Sequence, residues 1–277
     1  MQHNGIAMPS VSDQHGVRSV GMIFLHGSNA GVIDGAACLT SASRDFPLER
    51  DPSVIPWTLL DTATLPGAGR ELRLKRRGAE FSIMLGTIEL MNSRLSGSEE
   101  ALATLVATRL AGRPKPRILI GGLGMGFTLR AALASFVGDA EITVSELIPA
   151  VVAWARGPMA ELFAGCLDDP RVTIAVQDVG RVIADGAGRY DAILLDVDNG
   201  PEALTVAAND RLYEDGGLGR AKAALRPGGI LAVWSQGPDR RFTQRLRHAG
   251  FSVEEVMVRA HRGRSGARHI IWLARKA

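Results

Sequence analysis

From Pro116 onward the chain alternates short apolar blocks with helical stretches, and this rhythm restricts the possible folds more than any other feature. The blocks at 117–120, 141–145, 172–176, 192–195 and 229–234 have the length and apolar character of strands buried on both faces of a parallel sheet. Helical segments are predicted between them at 128–136, 149–160, 217–225 and 240–249. Such a βαβα series predicts a doubly wound, Rossmann-like α/β domain over 113–277. Two further strands, at 252–259 and 269–274, are too close for a parallel crossover, so they should run antiparallel and complete a mostly parallel seven-stranded sheet.

The segment before this domain has a different period. Glu71-Leu72-Arg73-Leu74-Lys75 alternates, Arg76-Arg77-Gly78 turns, Glu80 to Leu85 alternates again, and Thr87-Ile88-Glu89-Leu90 adds a strand. Ser98-Glu99-Glu100 then opens a helix carrying Leu102, Leu105, Val106 and Leu110, closed by Gly112 before Pro114. Residues 56–112 therefore read as a small N-terminal β domain with a linker helix. Residues 1–55, rich in Gly, Ser, Asn and Asp without periodicity, read as a poorly ordered extension.

Composition removes several classes. With 46% hydrophobic and 22% charged residues the chain resembles an ordinary soluble globular protein, and a net charge of +3 makes no demand for nucleic acid. Cys38 and Cys166 form no C-x-x-C pair, so neither a disulfide framework nor a metal site is expected, and a reducing cytoplasm fits. The apolar run 21–25 is too short for a membrane span, and the chain is read as neither anchored nor exported.

The first parallel strand runs into a glycine turn, ILIGGLGMGFTLR, where Gly122, Gly124 and Gly126 give G-x-G-x-G, a different spacing from the dinucleotide fingerprint G-x-G-x-x-G. Glu146, Asp178 and Asp196 stand at the ends of the second, third and fourth parallel strands. Any one of these acids could be a helix cap or a rim residue. Together with the turn they mark a nucleoside site, since ligands in open α/β sheets bind at the carboxyl ends of the strands.

The order of these signals, with Leu225-Arg226-Pro227-Gly228-Gly229 leading into Ile230-Leu231-Ala232-Val233-Trp234, resembles the class I S-adenosylmethionine-dependent transferase fold. The preceding β-hairpin and the run Tyr190-Asp191-Ala192-Ile193-Leu194-Leu195-Asp196 are similar to its spermidine synthase branch. The resemblance implies that Gly122, Gly124 and Gly126 line the methionine-derived part of S-adenosylmethionine or its decarboxylated form. It also implies that Glu146 holds the ribose, that Gln177 and Asp178 hold the adenine amine, and that Asp196 faces the reacting amine. That branch carries an aspartate in the glycine turn, where this chain has Leu123, Gly124 and Met125. Without that acid, one electrostatic reason to exclude the intact, carboxylate-bearing donor is gone. Ser96-Gly97-Ser98-Glu99-Glu100 stands roughly where the branch has a Tyr-His-Glu run.

Transfer from a sulfonium to an amine requires alignment and a neutral nucleophile. An alkyl amine with a pKa of about 10 arrives protonated, so a carboxylate that accepts its proton assists directly. Asp196 is the expected catalytic residue, with Asp198 and Glu202 orienting the acceptor or simply forming a turn. Arg94 is either a solvated loop residue or a grip for a substrate carboxylate. The expected function is alkyl transfer (aminopropyl, aminocarboxypropyl or methyl) to a small-molecule amine. An RNA methyltransferase using the arginines of 259–269, few aromatics standing near them to stack bases, and a non-catalytic nucleoside-binding module remain as alternatives. The hairpin's open edge makes a homodimer a reasonable expectation.

Overall fold

Alternation of side chains across the strands decides the architecture. The computed structural model describes residues 55–65, 69–197, 211–261 and 266–277. Strands β1 (Thr58–Thr64), β2 (Glu71–Arg77), β3 (Glu80–Leu85) and β4 (Ile88–Asn92) form an antiparallel sheet in chain order, and helix α1 (Gly97–Arg109) follows. Then come β5 (Arg117–Gly121), α2 (Phe127–Ser135), β6 (Glu141–Glu146), α3 (Pro149–Arg156), α4 (Ala160–Phe163), β7 (Val172–Val176), α5 (Val179–Ala184) and β8 (Tyr190–Leu195). The chain continues with α6 (Asp215–Ala224), β9 (Leu225–Ser235), α7 (Arg240–His248), β10 (Phe251–Arg259) and β11 (Arg268–Lys276).

The second sheet has seven strands in the order β10-β11-β9-β8-β5-β6-β7. Strands β9, β8, β5, β6 and β7 are parallel, and β11 runs antiparallel to both β9 and β10. One face presents Ile118, Ile120, Ile142, Val144, Ala192, Leu194, Ile230 and Ala232 to α1, α2, α3 and the N-terminal sheet. The other presents Leu119, Ile193, Leu195, Leu231 and Val233 to α5, α6 and α7. Helices on both faces are what near-continuous apolar strands require. The result is the expected α/β fold with a separate antiparallel sheet before it.

Some elements differ from the sequence reading. The helix expected over 149–160 stops at Arg156, because Pro158 cannot donate within a helix and disfavours helical backbone at Gly157. Strand β1 and helix α5 were not anticipated; β1 is mostly exposed, and α5 spans only six residues, too few for a period to show. Trp154 is buried, yet its Nε1 donates to Asp61 Oδ2 at 2.6 Å, tying α3 to β1. Among the described residues no helix is long and apolar enough to cross a membrane, and no cluster of His, Cys, Asp and Glu is arranged to hold a metal.

Candidate active site

Parallel strands end at one edge, and the register of β5, β6 and β8 brings the glycine turn, Glu146 and Asp196 together there. Gly121 pairs with Ser145 on one side and Leu195 on the other. The turn that follows keeps left-handed backbone at Gly122, Gly124 and Gly126, with φ of 91°, 51° and 76°. A Cβ at 122 would lie 2.4 Å from the Asp196 carbonyl oxygen, and one at 126 would lie 2.5 Å from the Phe163 ring. Close packing of the protein on itself therefore demands glycine at both positions. At 124 the nearest atom would be Met91 Sδ, 3.5 Å away, so only the backbone conformation selects glycine.

Glu146 is buried beneath this turn. Its Oε2 accepts from the Leu123 amide at 3.0 Å and its Oε1 from the Ile148 amide at 2.9 Å. Burial pushes its pKa up, opposed by these backbone donors. The Gly122 amide donates to Ser145 O and the Gly126 amide to Leu123 O. Several amides of the turn are thus committed to the protein and cannot cradle a phosphate.

At the end of β8, Asp196 accepts from Thr128 Oγ1 at 2.6 Å, and its amide donates to Gly121 O. Its pKa is pushed up to about 7, first by burial and then by the charge of Glu99, against the lowering effect of Thr128. Glu99, in the first turn of α1, is also raised, chiefly by burial, and accepts from Ser98 Oγ at 2.7 Å. Ser98 Oγ lies 2.9 Å from His269 Nδ1, at the start of β11. The His269 ring meets the Trp234 ring edge-on with centroids 4.8 Å apart, and the buried Trp234 Nε1 has no hydrogen-bond partner among the described residues. Core packing accounts for the Trp234 ring but leaves this donor unmatched.

The other expected residues sit elsewhere or play additional parts. Asp178 caps α5, accepting from the Arg181 amide at 3.1 Å, and the exposed Gln177 accepts from Ser145 Oγ through its carbonyl. Arg94 makes a two-pronged pair with Glu89 at 3.0 and 2.8 Å and reaches Glu80 at 3.5 Å, so its guanidinium is engaged within its own sheet region. Asp198 and Glu202 lie outside the described residues. Of the C-terminal arginines, Arg259 and Arg268 are paired in register at the open end of β10 and β11, while Arg262 and Arg264 also lie outside the described residues. A cavity of about 560 Å³ runs along β6 and β7 past Thr143, Arg171 and Arg189 and touches Gln177, but not Glu146 or Asp196.

The sequence reading did not assign Ser98, Glu99, Thr128 or His269 to the site. One signal was available for His269: the first residue of an antiparallel strand lies at the edge where its parallel neighbours end.

No family model matches the chain. It is similar to the polyamine aminopropyltransferase of Mycobacterium tuberculosis, with 30% identity over 150 residues covering 51% of this chain and 28% of the relative. It is also similar to that of Korarchaeum cryptofilum, with 30% identity over 135 residues covering 48% of this chain and 40% of the relative. The matches therefore span less than half the length of these relatives. Among solved structures, the spermidine synthase of Thermotoga maritima superposes with a TM-score of 0.62 at 17% identity, covering 79% of this chain and 73% of that one. A spermidine synthase in complex with the transition state analogue AdoDATO gives 0.60 at 18% identity, covering 79% and 72%. In fold the chain resembles these spermidine synthases: a mostly parallel seven-stranded sheet with a four-stranded antiparallel sheet ahead of it.

Proposed function

We propose that this chain is a transferase that moves an alkyl group from an S-adenosylmethionine-type sulfonium donor to a small-molecule amine. The names of its relatives favour an aminopropyl group and a polyamine-like acceptor. The observation that carries the reading is the acidic character of the edge where the parallel strands end. Asp196 stands there with Glu99 close enough for its charge to act on it, Glu146 stands at the end of β6 on the other side of β5, and the amides of Gly122, Leu123 and Gly126 are committed internally. Such a site suits a cationic nucleoside and offers little to a pyrophosphate.

The donor, when bound, supplies an electrophilic carbon next to a positively charged sulfur. Glu146 fixes the turn that would pack against it. Asp196 is suited to take the proton from the acceptor amine, because a general base works best with a pKa near the working pH. Thr128 holds one Asp196 oxygen and so sets the direction of the other. The glycine turn carries no acid that would repel a carboxylate-bearing donor, so intact S-adenosylmethionine and its decarboxylated form are both substrates to compare. Among the described residues β1 is an edge strand beside exposed Ile55, Leu59 and Leu60, which favours a homodimer through that edge, tested by sedimentation.

The test is Asp196→Asn. Calorimetry with both donors and with methylthioadenosine should show unchanged affinity, while turnover of a diamine acceptor falls by about 100-fold to 10,000-fold. Absence of binding to all three nucleosides, or full activity in the variant, would end the reading.

A further inference from the structure

The polar chain beside Asp196 has a direction that follows from counting protons. A hydroxyl has one proton to donate. Toward an ionised Glu99, whose Oε2 lies 2.7 Å away, Ser98 must donate it, so toward His269 Nδ1, 2.9 Å away, its oxygen can only accept. In that state His269 carries its proton on Nδ1. A neutral imidazole fits, since burial also lowers the His269 pKa. Ser98 itself is completely buried, out of reach of bulk solvent.

Strand register explains why these groups meet. Asp196 continues the face of Ala192 and Leu194, and Trp234 that of Ile230 and Ala232; His269 shares the face of Ile271 and Leu273. Helix α1 covers that face, with Ser98 and Glu99 in its first turn. The other charged groups nearby are Glu100 on α1, which raises Glu99 further, and Arg259 and His261, which flank Ala260, the acceptor of the Gly97 amide. On α2, Thr128 is uncharged and Arg130 lies over the Phe127 ring.

We propose that His269 and Ser98 are positioning residues: through His269 Nδ1–H to Ser98 Oγ and Ser98 Oγ–H to Glu99, they hold Glu99 as the anionic member of an acid pair, leaving Asp196 to exchange protons with the acceptor. The proposal rests on the transferase reading and adds the device that assigns roles within the site. In the step concerned, an N–H bond of the acceptor ammonium breaks and an O–H bond forms on Asp196. The electron pair stays on nitrogen, which becomes the nucleophile. Two close carboxyl groups titrate as a unit, so whatever stabilises the charge on one decides that the other takes the proton.

The experiment compares wild type with Ser98→Ala, His269→Leu and His269→Asn, whose side-chain amide nitrogen can occupy the place of Nδ1. Carbon-13 carboxyl titration, assigned with Glu99→Gln and Asp196→Asn, should show Glu99 ionising before Asp196 in the wild type. In Ser98→Ala and His269→Leu the order should reverse. The acid limb of kcat/KM should then fall by about one pH unit, because Asp196 ionises beside a neutral neighbour. His269→Asn should restore the wild-type order. Asp196 ionising first in the wild type, or an unmoved midpoint in folded Ser98→Ala, overturns the proposal. The titration needs no turnover. A protein that shows the predicted order yet binds no donor would refute the transferase reading while leaving the relay intact, and an active enzyme with an unmoved acid limb would refute the relay alone.

Discussion

Glu146 Oε2 accepts the Leu123 amide at 3.0 Å, so the end of one parallel strand holds the turn that follows its neighbour. Replacing Glu146 with Ala strands buried amides, at a cost of about 1–3 kcal/mol for each donor left unpaired. Glu146→Gln retains an acceptor oxygen and should lose less. Urea denaturation should rank them wild type, Gln, Ala, and calorimetry should show donor affinity falling in the same order.

The glycines of the turn should not be equally sensitive. Gly122→Ala adds a Cβ 2.4 Å from a backbone carbonyl to a left-handed residue, whereas Gly124→Ala adds only the left-handed strain, about 1–2 kcal/mol. The first should cost clearly more in denaturant midpoint. Gly124→Asp, which introduces an acid with room around it, should weaken binding of intact S-adenosylmethionine relative to its decarboxylated form. Equal changes for the two donors would show that this position does not face the donor's carboxylate.

Asp196 links stability to pH with a definite sign. Its folded-state pKa of about 7 lies above the ordinary 3.8, so between these values the native state binds more protons than the unfolded chain. Stability from this group is present below pH 4 and is lost as pH rises toward 7. Asp196→Asn should flatten that part of the Tm-against-pH curve. The variant should be more stable than wild type above pH 7, although it has lost activity.

Trp154 joins α3 to β1 through Asp61, whose pKa is lowered chiefly by this hydrogen bond. Trp154→Phe should speed hydrogen exchange at the β1 amides and return Asp61 toward its ordinary titration. Unchanged exchange would show that β1 is held by β2 alone.

How much of this was legible in the sequence depended on how local the signal was. The parallel strands were readable because each apolar block is set by burial on both faces, a property of a few consecutive residues. The places of Glu146 and Asp196 at the ends of β6 and β8 were readable because a strand end is a local feature as well. Helix α3 ran short because a single Pro158 outweighs apolar periodicity, and β1 escaped notice because an exposed edge strand need not alternate. Arg94 shows the opposite limit: its loop position was clear, but its contact with Glu80 depends on β3 folding back beside β4. The Ser98, Glu99 and His269 cluster joins residues 171 positions apart, and no spacing rule reaches across that distance.

Because β11 runs against the strands beside it, its second residue, His269, stands at the edge where the parallel strands end. A one-residue slip of β11 would bring Arg268 or Ile270 to the place of the imidazole, but it would also turn Ile271 and Leu273 away from one core and Trp272 away from the other. Burial along a single strand thus pins the place of an ionisable ring.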